Sequence, residues 1–147
     1  MAAILLMEDE TDQSLLFSTA MENMGHDVAC ATTGMEALEL LKLRHFDLLV
    51  TDIFVRQDGK LINDGGLALI SRVRNQMING EHAHLRDLPV LVISGGIQMP
   101  GQANLFRISS SVGANAALGK PVEFDHLEAV IDALLKGEPV PAPPSPR

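Results

Sequence analysis

Pro89-Val90-Leu91-Val92-Ile93-Ser94 carries the signal that settles the architecture. From Leu88 to Ile93 the chain is nearly continuously apolar, as expected of a strand covered on both faces inside a parallel sheet, and it ends on a hydroxyl. Three other runs end on a polar residue in the same way. Ala2-Ala3-Ile4-Leu5-Leu6-Met7 runs into Glu8-Asp9, Leu48-Leu49-Val50-Thr51 into Asp52, and Ala116-Ala117-Leu118-Gly119 into Lys120. In a parallel sheet all of these ends share one rim, and that rim is where an open α/β sheet carries its site.

Between the strands lie amphipathic stretches, so the order reads as (βα)5 in an α/β fold with helices on both faces. A first helix is predicted over about 11–24, with Leu15, Leu16, Thr19, Ala20 and Met24 near one face and Gly25 as its stop. Asp27 to Ala31 reads as the second strand, and Thr33-Gly34-Met35-Glu36 opens a second helix in capping-box spacing, with Leu38 and Leu41 inward. The third strand is expected at about 47–51, a third helix at 66–77, and a fourth within 102–112. Pro121 suits the first turn of a last helix whose Leu127, Val130, Ile131, Leu134 and Leu135 form an apolar stripe. Residues 1–136 read as one domain, and 137–147 as a proline-rich, extended and disordered tail too short to be an output domain.

The chain has 147 residues, 46% of them apolar, enough for one domain with a full core. Its net charge of −8 would repel a nucleic-acid backbone or an anionic membrane, so neither is expected as a partner. No run approaches a membrane span, the apolar start is too short for a signal peptide, and Cys30 is the single cysteine. A cytoplasmic location is expected. His82 and His84 read as exposed loop residues, and His26, His45 and His126 as structural, since no second cluster supports a transition-metal site.

Carboxylates gathered on one rim repel one another, so Glu8, Asp9 and Asp52 together should recruit a divalent cation, and Mg²⁺ suits an all-oxygen, partly hydrated site. Asp52, kept ionised by the metal and Lys120, could then attack an electrophilic phosphorus and form an acyl phosphate. Lys120 and the Ser94 hydroxyl would hold phosphoryl oxygens. Singly, each residue has a plainer reading: acids favoured at a helix start, a turn Asp, a turn Ser before Gly95-Gly96, a surface lysine.

In order along the chain, Leu5-Leu6-Met7-Glu8-Asp9-Glu10, Thr51-Asp52, Asp64-Gly65-Gly66-Leu67, Ser94-Gly95, Val112-Gly113-Ala114-Asn115 and Gly119-Lys120-Pro121 resemble the receiver domain of two-component response regulators, over residues 2 to about 136. The resemblance implies a flavodoxin-like three-layer fold with strand order 2-1-3-4-5. It further implies Asp52 as phosphoacceptor, Glu8 and Asp9 as the acid pair at Mg²⁺, the main-chain carbonyl of Phe54 as another metal ligand, Ser94 as switch hydroxyl, and Lys120 as the partner lysine. A histidine kinase or phosphotransfer protein would be the donor, and the fourth helix, fifth strand and fifth helix the face that meets a downstream protein.

The chain departs from the family at three points. Asp52 and Ser94 stand 42 residues apart, with extra length in 56–63 and 79–86. Arg56 occupies the usual proline position four residues after the acceptor, and Ala117 the position where the family often carries a switching Tyr or Phe. The leading expectation is a stand-alone receiver, and the alternative is an interaction module of the same fold that works without phosphorylation. Two further classes fit less well. An aspartate-based phosphohydrolase needs a second Asp two positions on, where this chain has Phe54, and a flavin or nucleotide carrier would meet repelling acids in the first loop.

Overall fold

A computed structural model describes residues 2–52, 56–57, 60–61, 66–75, 85–94, 113–119 and 122–141, with backbone alone for 56–57, 60–61, 66–67, 75 and 94. The strands are β1 (Ala3–Met7), β2 (Asp27–Ala31), β3 (Leu48–Thr51), β4 (Arg56–Gln57), β5 (Lys60–Leu61), β6 (Val90–Ser94) and β7 (Ala116–Gly119). The helices are α1 (Thr11–Asn23), α2 (Gly34–Leu43), α3 (Gly66–Asn75) and α4 (Phe124–Lys136). Five strands form an all-parallel sheet in the order β2-β1-β3-β6-β7, which is the expected 2-1-3-4-5 arrangement once the two short strands are set aside. The fourth helix expected within 102–112 lies outside the described residues, as do His82 and His84.

Strand side chains alternate between faces, and the alternation divides the core in two. Leu5, Met7, Leu49, Val90 and Val92 pack with Ala37 and Leu41 of α2 and Leu69, Ile70 and Val73 of α3. Ile4, Leu6, Leu48, Val50, Leu91 and Ile93 pack on the other side with Phe17 and Met21 of α1 and Leu127, Val130, Ile131 and Leu134 of α4. All these residues are buried, so β1, β3 and β6 are covered on both faces, as their unbroken apolar runs require.

Two local expectations are corrected, and one stretch holds an element that was not expected. On α1, Leu15 and Leu16 are 67% and 47% exposed, whereas Phe17 and Met21 are buried. Phe17 and Met21 pack with the sheet and with α4, where Phe17 also meets the Phe124 ring edge-on, with centroids 6.0 Å apart. The last helix begins at Phe124 with Glu123 as N-cap, so position 121 precedes its first turn. Finally, the extra length after Asp52 contains an antiparallel ribbon, β4 with β5, whose strands are two residues apart in sequence. Asp58-Gly59 is a hairpin-turn pair, so the sequence did carry this signal.

The capping box forms with one shift. Thr33 Oγ1 accepts from Glu36 N at 3.2 Å, while Glu36 Oε1 accepts from Thr32 N at 2.8 Å, one residue ahead of the cap. At the other end of the chain, Gly137 caps α4 with φ +70°, a left-handed conformation that glycine adopts without a Cβ penalty.

Candidate functional site

The site is built by the register of the sheet. Met7 pairs with Thr51 and Thr51 with Val92, so β1, β3 and β6 deliver their C-terminal ends to one rim. The backbone beyond each of the first two strands is pinned there. Glu8 N donates to Ala31 O of β2 at 2.9 Å, and Asp52 N donates to Met7 O at 3.0 Å. Thr51, fully buried, turns its hydroxyl to donate to the Asp52 carbonyl at 2.9 Å. Glu8 Oε1 accepts from Glu10 N at 3.2 Å, which holds the turn into α1.

These bonds bring Glu8, Asp9 and Asp52 together, each offering an oxygen within 4.8 Å of the others'. Glu8 is 3% and Asp52 9% exposed, with Asp9 at the mouth of the cluster. Ionised carboxylates at such separations repel one another. A hard divalent cation with oxygen ligands answers that repulsion. Among the described residues this is the one group of three or more acids, histidines or cysteines with metal-ligand spacing.

The other expected residues are placed only in part. Ser94 ends β6, its backbone beside Gly119 of β7 in register, and Lys120 is the next residue in the chain. The Ser94 side chain, Lys120 and Phe54 lie outside the described residues. The Thr51 bond and the Ala31 carbonyl were not expected from the sequence. A hydroxyl at the end of a buried strand was the available sign for the first, whereas the second is a main-chain contact that residue identity does not encode.

Two described histidines lie at the other end of the sheet. His26 Nδ1 accepts from Ala2 N at 3.2 Å, and His45 Nε2 pairs with Asp47 at 3.0 Å. Both belong to the opposite rim, beside a depression of about 650 Å³ also lined by Asp87 and Lys136. His126 on α4 keeps its Nε2 buried with no hydrogen-bond partner among the described residues. No described helix is long and apolar enough to cross a membrane.

Comparison with known proteins follows the same lines. The family model of the response regulator receiver domain matches residues 4–132. The chain is 30% identical to the sensor protein EvgS of Escherichia coli over 132 residues, covering 90% of this chain and 10% of that protein. It is 30% identical to the transcriptional regulatory protein CrdR of Helicobacter pylori over 142 residues, covering 97% of this chain and 59% of CrdR. The chain therefore spans only part of the length of both relatives. Among solved structures, the receiver domain of the Francisella response regulator 1452 superposes with a TM-score of 0.74 at 22% identity, over 93% of this chain and 98% of that one. Domains of this family are signalling modules rather than classical enzymes; they accept phosphoryl groups from histidine kinases, and magnesium and a phosphorylated state are typical of them. Matched across 4–132 and folded in the same strand order, the chain belongs to the receiver domain family of two-component response regulators.

Proposed function

We propose that this chain is a single-domain response regulator that accepts a phosphoryl group on Asp52 and signals through protein contacts. The observation that carries the reading is the gathering of the Glu8, Asp9 and Asp52 oxygens within 4.8 Å at the rim where β1 and β3 end. The donor set fits Mg²⁺: Glu8, Asp9, Asp52 and the main-chain carbonyl of Phe54 would hold it, and once bound it supplies charge neutralisation for carboxylates and phosphoryl oxygens alike. An Asp52 carboxylate oxygen forms the new P–O bond while the P–N bond of the donor's phosphohistidine breaks and the imidazole leaves with the electron pair. Lys120 and the Ser94 hydroxyl donate to the transferred group.

The donor in this reading is a histidine kinase or phosphotransfer protein, the location is cytoplasmic, and the target is a protein rather than a nucleic acid, in keeping with the net charge of −8. Residues 1–136 act as the receiver unit and 137–147 as a dispensable tail, since none of the proposed site residues lies beyond Gly137. A second reading, signalling without phosphorylation, is favoured by Ala117. This small residue packs half-buried against the core where the family often carries a switching aromatic.

The test is intact mass after incubation with acetyl phosphate, with and without Mg²⁺, beside Asp52→Asn. A Mg²⁺-dependent gain of one phosphoryl group, lost in the variant, is the expected outcome. A folded chain that takes no label from acetyl phosphate and ignores beryllofluoride would transfer the assignment to the phosphorylation-independent module.

A further inference from the structure

We infer that the β4–β5 ribbon is an electrostatic guide for anionic phosphoryl donors, an assignment that rests on the phosphoacceptor reading of Asp52. Arg56, its first residue, is four positions beyond Asp52. An extended chain spans at most about 3.5 Å per residue, so the Arg56 backbone lies within about 14 Å of the Asp52 backbone in any conformation. The tether alone keeps the ribbon at the rim.

Arg56 is opposite Leu61 and Gln57 opposite Lys60. Directly opposed residues of an antiparallel pair share a face, and successive residues alternate between faces. Arg56 and Leu61 therefore belong to one face, Gln57 and Lys60 to the other. By residue type, one position on each face is basic, Arg56 on the first and Lys60 on the second. Asp58 in the connection still leaves the ribbon with one surplus positive charge, in a chain whose net charge is −8.

That charge has a consequence for the donor. A phosphoryl donor arrives as an anion and meets three gathered carboxylates on a negative molecule, so its encounter rate depends on local cations. Across the backbone separation that the tether allows, up to about 14 Å, the interaction falls inside the screening length of dilute buffer, about 30 Å at 0.01 M, and concentrated salt, with a screening length of about 3 Å at 1 M, suppresses it. The guide therefore acts on the loading rate and leaves the lifetime of the acyl phosphate unchanged.

The experiment measures the rate of labelling by acetyl phosphate at saturating Mg²⁺, in dilute and in concentrated salt, followed by intact mass. Four chains are compared: wild type, R56E/K60E, R56Q/K60Q, and K42E/K136E. The last makes the same charge change on two exposed lysines in the last turns of α2 and α4, at the opposite rim. In dilute salt R56E/K60E should load about three- to ten-fold more slowly, R56Q/K60Q should be intermediate, and K42E/K136E should stay close to wild type. The differences should vanish at high salt, and the decay of the label should be the same in all four. Equal loading rates in dilute salt, an equal slowing by K42E/K136E, or a slowing that persists in concentrated salt each overturns the guide alone. A wild-type chain that takes no label overturns the phosphoacceptor reading and the guide together.

Discussion

Arg74 does more for this fold than its place near the end of α3 suggests. Its guanidinium donates to Gly113 O from Nε at 3.1 Å and from a terminal nitrogen at 2.9 Å, and also to Arg86 O and Asn115 Oδ1 at 2.9 and 3.0 Å. The same Asn115 oxygen accepts from Val90 N at 2.9 Å, so one side chain ties α3, the turn at 85–87, β6 and the start of β7. Burial lowers the pKa of the guanidinium, partly offset by Asp87, yet an arginine stays charged at any working pH. Arg74→Ala should cost about 2 to 4 kcal/mol in urea unfolding, because it strands several carbonyls at once, and Arg74→Lys should recover little for want of the planar fork. Gly113 is bound to the same knot. Its φ is +113°, and a methyl group added there would stand 2.7 Å from Arg74 Cγ. Gly113→Ala should therefore be destabilising by about 1 to 3 kcal/mol in the same measurement.

At the scale of elements, the strands are legible because their signal is local. A parallel strand buried on both faces reads as a nearly continuous apolar run, and β1, β3 and β6 do up to the residue that ends β3 and β6, Thr51 and Ser94. The capping box is legible for the same reason, since it is a contact within four residues. Thr33→Ala should lower stability by about 1 kcal/mol, read from the thermal midpoint. The buried face of α1 is less legible, since apolar residues at 15 and 16 compete with those at 17, 21 and 24. Phe17 and Met21 are buried by packing against the sheet and α4, including a ring contact of Phe17 with Phe124 more than a hundred residues away in sequence. Replacing Leu15 with Gln should therefore leave stability almost unchanged, whereas Phe17→Ala should cost about 3 to 4 kcal/mol by the cavity it leaves.

For the whole molecule, the two rims behave differently. A divalent cation at the acid rim would relieve the repulsion among Glu8, Asp9 and Asp52. Mg²⁺ should raise the thermal midpoint of the wild-type chain and should raise that of Asp9→Asn much less, measured by calorimetry with and without chelator. The opposite rim gains from ionised Asp47, whose carboxyl accepts from Ala3 N at 2.8 Å. That bond holds its pKa below the usual value; burial pushes the other way, and His45 adds to the lowering. A carboxyl with a depressed folded pKa contributes stability that is complete above its unfolded pKa and lost as pH falls through the folded one. The stability gap between wild type and Asp47→Asn should therefore narrow as pH drops from about 6 to about 3, and a gap independent of pH would count against this role for Asp47.

Residue identity alone dictates the fold class, points through the family resemblance to the strand order, and marks Glu8, Asp9 and Asp52 as candidates, because strand burial and strand-end chemistry are written residue by residue. Folding in three dimensions settles the rest: those three side chains converge within 4.8 Å, Thr51 and Ala31 brace them, and Arg74 locks the base of β6 and β7. Convergence, the Ala31 bond and the Arg74 knot join segments distant in sequence, and the Thr51 bond depends on a side-chain orientation set by burial. Sheet register and packing fix all of them, and no local pattern of residue types records them.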